Sequence, residues 1–143
     1  MKKNDAIDEH IVITGGLSGI GLETVKVINK NNPNIKIIIS SRDFEDGSKK
    51  LKKFFPKNKN IQLLKLDLSD DLSVNDFLQQ IKQHCKKVHA LILNAGYIET
   101  SPCLMTPENS IEKHLKINYT NNIKIIQFVI RKFMLKQRHA SVV

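Results

Sequence analysis

The sequence predicts an α/β fold: a doubly wound parallel sheet of strand order 3-2-1-4-5, with the chain ending within strand 5. Three observations carry that prediction. Short apolar runs alternate along the chain with stretches of helical periodicity, the pattern of βαβ units. The first apolar run ends in a glycine-rich turn that opens directly into a helix. At 143 residues the chain is long enough to bury a real core, and residues 1–143 are expected to form one domain. Right-handed crossovers between parallel strands then lead to the doubly wound order.

Each element has its own local reason. Residues 10–14 are a short apolar run closed by glycines, a buried strand. Residues 20–30 read as a helix with Ile20, Thr24, Val27 and Ile28 on one face. The turn Asn31-Asn32-Pro33-Asn34 leads into a β-branched strand, residues 35–40, centred on Ile37-Ile38-Ile39. Residues 46–55 form a short lysine-rich helix closed by Pro56, and residues 61–66 the third strand. Residues 72–85 are a helix with Val74, Phe77, Leu78 and Ile81 at i, i+3, i+4 and i+7. Residues 88–93 are the fourth strand. Thr106 as N-cap and Pro107 at the first helical position start a long helix that runs to about Gln137. Residues 140–143 begin the fifth strand.

Composition narrows the classes of function. The apolar fraction, 41%, is at the low edge for a globular protein, but its residues are clustered and periodic. The net charge of +9 is almost all lysine, since Arg42, Arg131 and Arg138 are the only arginines. The chain is also heavy in Asn and Ile, the combination an AT-rich coding sequence gives. Composition therefore explains the charge better than a nucleic-acid surface does. The run Lys49, Lys50, Lys52, Lys53, Lys57 and Lys59 encloses Phe54-Phe55 and could be a stacking patch for nucleic acid. A charge run is more often the solvated face of a helix, here with one or both Phe in the core. Cys85 and Cys103 form no C-x-x-C pair, which argues against a disulfide framework and fits a reducing compartment. No metal-ligand spacing appears among the cysteines and histidines. The first ten residues carry no apolar signal-peptide core, and no run approaches the roughly 18 residues of a membrane span. A cytoplasmic protein without a membrane span is the expectation.

The chemistry concentrates in the loop Thr14-Gly15-Gly16-Leu17-Ser18-Gly19-Ile20-Gly21. Gly15 lets the chain turn, Gly19 lets backbone approach a ligand, and Gly21 lets the helix pack close. The helix N-terminus presents free N–H groups and a positive dipole to a phosphate. With a strand before it and a helix after it, this is the context of a dinucleotide-binding (Rossmann) loop. Cofactor choice is read at the end of the second strand, where a carboxylate would bond the ribose 2′-OH of NAD. Here stand Ser40-Ser41-Arg42. Serine leaves room for a 2′-phosphate and Arg42 can meet it with a forked contact, which favours NADP over NAD. Asp43, Glu45 and Asp46 follow closely and weigh against it, and a solvated Arg42 is the alternative.

The spacing Gly15-x-x-x-Gly19-x-Gly21 resembles the short-chain dehydrogenase/reductase family, whose loop is T-G-x-x-x-G-I-G. Three further stations match in order. Asp67-Leu68 matches the family's adenine-binding Asp, and Asn94-Ala95-Gly96 matches the motif that shapes its cofactor pocket. Asn118 matches the Asn that helps hold a water-linked proton relay. The wording around these motifs is closest to retinol-dehydrogenase-type members. The resemblance implies a cofactor site of Thr14, Gly15, Leu17, Ser18, Gly19, Ile20, Gly21, Ser41, Arg42, Asp67, Leu68, Asn94, Ala95 and Gly96. It also implies hydride transfer between NADP(H) and a carbonyl or alcohol. Taken singly, Asp67 could cap a helix or turn, Asn94 could be a turn residue, and Asn118 a hydrogen-bonded buried polar group.

In that family the chemistry belongs to a Ser after strand 5 and a Tyr-x-x-x-Lys on the next helix. Here Tyr97 is followed four residues on by Ser101 and Tyr119 by Ile123, while Ser141 lies inside the strand. Asn118 is the one member of the catalytic set present. The expectation is a cofactor-binding half, truncated and inactive alone. A non-catalytic dinucleotide-binding or dimerisation module and a basic nucleic-acid-binding domain are the alternatives. The long helix, residues 107–137, carries Ile123, Ile125, Ile126, Phe128, Val129, Ile130, Phe133 and Met134 nearly all round, which points to a homo- or hetero-oligomer through its second apolar face.

Overall fold

β-Branched runs buried on both faces set the centre of the sheet. In a computed structural model, which describes residues 9–57 and 59–143, β1 (Glu9–Thr14) turns Ile11 and Ile13 to one side and Val12 to the other. β2 (Lys36–Ser41) does the same with Ile37 and Ile39 against Ile38. β3 (Ile61–Lys65), β4 (Lys87–Leu93) and the short β5 (Ser141–Val142) complete a sheet in which every pairing is parallel. The order is β3-β2-β1-β4-β5, the doubly wound order expected. Apart from Glu9 and His10, the N-terminal segment considered for a signal peptide lies outside the described residues.

Helices cover both sides. α1 (Gly19–Asn31) and α2 (Phe44–Phe54) close one core around Ile13, Ile37, Ile39 and Leu63. α3 (Asp71–His84) and α5 (Asn121–Val129) close the other, where Val74, Phe77, Leu78 and Ile81 meet Ile125 and Val129. Asp70 caps α3 by accepting from Leu72 N at 3.0 Å. Phe55 is buried and Phe54 half-buried between Lys26 and Lys53, so Lys49, Lys52 and Lys53 lie on the outer face of α2, with Lys57 and Lys59 beyond its end. Among the described residues no helix is long and apolar enough to cross a membrane.

Three local expectations change. The inward face of α1 is Gly21, Leu22 and Val25; of the expected stripe Ile28 packs partly buried against the core, while Ile20 and Val27, 82% and 57% exposed, face outward. Close approach of the helix at Gly21 wins over the wider apolar stripe. α2 begins two residues earlier than expected, because Asp43 caps it by accepting from Asp46 N. Pro107 is the N-cap of α4 (Glu108–Leu115), so the helix begins one place later than expected, and Thr106 does not cap it. The Thr106 hydroxyl is engaged instead with Pro102 O and the Ser101 hydroxyl.

The long helix is also not one α-helix. π turns at Lys116–Thr120 and Ile130–Met134 interrupt it, and it ends near Leu135. The Asn122 side-chain amide bonds the Ile117 and Asn118 carbonyls that the first π turn loosens, and Gln137 bonds Phe133 O and Val88 O below the second. Ile125, Val129, Phe133 and Met134 are buried, and Ile126, Phe128 and Ile130 pack partly buried against the same core. The outer face carries Ile111, Leu115, Tyr119 and Ile123 instead.

Candidate functional site

At the C-terminal ends of β1, β2, β3 and β4 the sheet opens into a cleft of about 490 Å³, the position where doubly wound sheets bind ligands. Its floor is tied by side chains at strand ends. The Thr14 hydroxyl accepts from Ala95 N at 3.0 Å, and the Asn94 amide donates to Thr14 O and Gly15 O at 3.2 and 3.0 Å. Gly15 N donates to the Ser40 hydroxyl at 3.3 Å. β1, β2 and β4 are thereby locked at the point where the first loop leaves the sheet.

Two glycines of that loop hold left-handed backbone, Gly15 at φ 69° and Gly19 at φ 50°. Gly19 faces open space, so backbone can be approached there. Gly21 is required for contact: a Cβ would run into Gly15 O and lie 2.5 Å from Asn94 Nδ2. It therefore packs on the turn and on Asn94 rather than on the sheet itself. Gly16, not singled out from sequence, sits against Ile39 of β2, where a Cβ would come within 2.6 Å of Cγ2. Ser18 precedes α1 without a side-chain cap bond, and the first turn holds no acidic residue. The N–H groups of Gly19, Ile20 and Gly21 lack intrahelical partners by position, which leaves them to a ligand together with the positive helix end. Leu17 is buried under the loop.

The remaining expected residues divide between the cleft and its surroundings. Gly15, Leu17, Ser18, Ser41, Arg42, Asp67, Leu68, Asn94, Ala95 and Gly96 line it. Thr14 lies beneath, and the Ile20 side chain stands on the outer face of α1, so only its backbone is near. Asp67 makes a turn: its carboxylate accepts from Ser69 N and the Ser69 hydroxyl at 2.8 and 2.6 Å, while Asp67 N donates to Ser73. Burial opposes its ionisation, but the Ser69 hydrogen bonds and the nearby Arg42 and Lys65 charges prevail and hold it below its ordinary value. The Leu68 carbonyl accepts from the fully buried Asn121 at 2.9 Å, a support the sequence did not single out.

At the far end of the cleft, Asn118 lies in the first π turn. Both ends of its amide hold the backbone of one residue: Oδ1 accepts from Tyr97 N at 2.8 Å and Nδ2 donates to Tyr97 O at 2.7 Å. The Tyr97 ring lies 4.1 Å from Lys113 Nζ and 4.8 Å from the His114 ring. Its hydroxyl and that of Ser110 both donate to Glu99, which they hold below its ordinary pKa, with Lys113 and His114 adding to the effect. Tyr97 and Lys113 line the cleft and were missed as site residues. Tyr97 directly follows Asn94-Ala95-Gly96, and that adjacency was the available signal. Among the described residues no cluster of His, Cys, Asp or Glu could hold a metal ion.

A parallel sheet with a glycine loop and a polar cleft at its switch point defines a dinucleotide-binding type of protein. The family model described as short chain dehydrogenase matches residues 9–143, and the chain belongs to the short-chain dehydrogenase/reductase family of oxidoreductases. Retinol dehydrogenase 12 of Mus musculus is 31% identical over 124 residues, 85% of this chain and 38% of that relative. The chloroplastic short-chain dehydrogenase TIC 32 A of Brassica napus is 30% identical over 141 residues, 96% of this chain and 42% of that protein. The chain thus spans about two fifths of the length of these relatives. ElxO, solved with NADP bound, superposes with a TM-score of 0.80 at 24% identity, over 94% of this chain and 53% of that one.

Proposed function

We propose that residues 1–143 are a single dinucleotide-binding domain that holds NADP(H), the cofactor-binding part of an oxidoreductase acting between a carbonyl and an alcohol. The observation that carries the reading is Ser41-Arg42 at the end of β2, on the wall of the cleft that begins at the glycine loop. No carboxylate occupies that strand end, and Arg42 enters no hydrogen bond or ion pair among the described residues. The donor set suits a dinucleotide: unpaired N–H groups at the start of α1 for the pyrophosphate, Asp67 and Leu68 on the adenosine side, and Asn94, Ala95 and Gly96 beside the loop. The contact room that Gly19 leaves supports the same reading. ElxO, of the same fold, carries NADP. When bound, the nicotinamide supplies the hydride chemistry. This chain's residues bind and orient it, and Asn118 fixes the Tyr97 backbone at the edge of the cleft.

Titration of NADPH fluorescence tests the assignment. Arg42→Ala weakens NADPH far more than NADH; equal losses refute NADP, and no saturable binding at sub-millimolar NADPH refutes the dinucleotide reading. Neither tyrosine has a lysine at i+4, so these 143 residues bind without carbonyl turnover. Turnover that survives purification and Asn118→Ala contradicts this. A second reading, a dimerising module, draws on the outward Ile111, Leu115, Tyr119 and Ile123 of the long helix. Sedimentation at increasing concentration checks it, with Leu115→Lys expected to leave a monomer.

A further inference from the structure

Three carboxylates follow Arg42 within four residues, and a 2′-phosphate brought to Arg42 enters their field. Such a group carries about −1.5 to −2 charges at neutral pH. One guanidinium does not neutralise it. The structure shows how two of the three carboxylates are occupied. Asp43 faces the start of α2 and accepts from Asp46 N at 3.0 Å. Asp46 forms an ion pair with Lys50, one helical turn on, at 2.6 Å.

Lys50 is brought to the cleft by close packing. Gly47 seats α2 against the end of β2, where a Cβ would lie 2.9 Å from Ser41 Cβ and 3.0 Å from Leu63 Cδ2. One turn further along the same helix, Lys50 joins Ser41, Arg42 and Asp67 in lining the cleft. Its side chain is 43% exposed, and an exposed i,i+4 pair contributes little, so the ammonium can leave Asp46 at small cost.

We propose that Lys50 is a second specificity-determining residue for an anionic substituent on the adenosine ribose. Paired with Asp46 in the free protein, it moves to share the 2′-phosphate with Arg42 when the dinucleotide binds. Asp46 competes with the phosphate for the ammonium and so sets the threshold of the preference. The proposal rests on the NADP reading above and adds to it a residue and a competitor.

The test measures NADPH and NADH binding for the parent chain, Lys50→Gln, Asp46→Asn and Arg42→Ala. Lys50→Gln is expected to weaken NADPH by about tenfold, the scale of one charge-assisted hydrogen bond, and to change NADH by less than about twofold. Asp46→Asn is expected to tighten NADPH and leave NADH alone, because it frees the ammonium. The salt dependence of NADPH binding should also flatten in Lys50→Gln. Equal effects of Lys50→Gln on both nucleotides, or none on either, overturn the proposal. If Arg42→Ala loses NADPH selectively while Lys50→Gln does not, only the role of Lys50 falls. If the parent chain shows no preference and Arg42→Ala none either, the NADP reading fails and takes this proposal with it.

Discussion

Gly19 and Gly21 stand two residues apart in one loop and answer to different physics. Gly19 holds φ 50° with nothing near its missing side chain, so Gly19→Ala costs about 1 kcal/mol of backbone strain. Nucleotide binding should fall much further than stability, because the added methyl intrudes where a ligand approaches. Gly21→Ala forces a methyl against Gly15 O and the Asn94 amide, and overpacking of that kind costs roughly 1–3 kcal/mol. Urea unfolding beside NADPH titration separates the two: a larger stability loss for Gly19→Ala than for Gly21→Ala would contradict the packing described. Asn121 makes a comparable case outside the motifs. Asn121→Ala leaves the Leu68 carbonyl without its buried donor, at about 1–3 kcal/mol, and the same unfolding measurement reads it.

Between elements, Asp71 is a junction. It opens α3 and receives Lys124 at 2.7 Å and Lys116 at 2.9 Å from the long helix. Those hydrogen bonds push its pKa from the ordinary 3.8 down to about 2. A carboxyl whose pKa is lowered on folding stabilises the fold above its unfolded value and stops doing so as pH falls through the folded one. The contribution should therefore be full above about pH 5, fall progressively through the range of the two values and be gone by about pH 1, and Asp71→Asn should flatten that part of the pH–stability curve. Asp67 acts in the same direction, since its carboxyl is also held low. A curve unchanged by Asp71→Asn would show the junction to be energetically silent. β4 supplies the other element-scale device. Its pairing with β1 slips between His10 and Ile11, which carries His89 out of register. Val88 and Leu91, three apart, then point into the same core, and Leu93 pairs with Thr14 so that Asn94 and Ala95 fall beside the glycine loop.

Across the whole molecule, cores on both sides of one five-stranded sheet predict one cooperative unfolding transition. Far-UV dichroism and tyrosine fluorescence, the usable intrinsic probe in a chain without Trp, should give the same midpoint. Two separated midpoints would divide the domain. A ligand that binds only the folded state adds about 2.7 kcal/mol at a concentration of one hundred times Kd, so NADPH should raise that midpoint and NADH should raise it less.

How much of this was legible follows from the range of the forces involved. Strand alternation, helical period and the glycine loop are local patterns, and they were enough for the five strands and their order; ten of the residues named from the family motifs also line the cleft. Even helix starts depended on competition among neighbouring hydroxyls and carboxylates, as at Asp43 and Thr106. Features made by contacts between distant segments left no periodic trace. The outward Ile20 and Val27 are one, since Gly21 and its seat against Asn94 lie 73 residues apart in sequence yet decide which face of α1 turns in. The π turns, the slip at His89 and the Tyr97–Glu99–Ser110 network are others. By itself the sequence determined the fold class, the family and the place of the glycine loop, because each rests on short-range spacing. Only the tertiary structure decided which side chains share the cleft with that loop, Lys50, Tyr97 and Lys113 among them, because packing between elements brings them there.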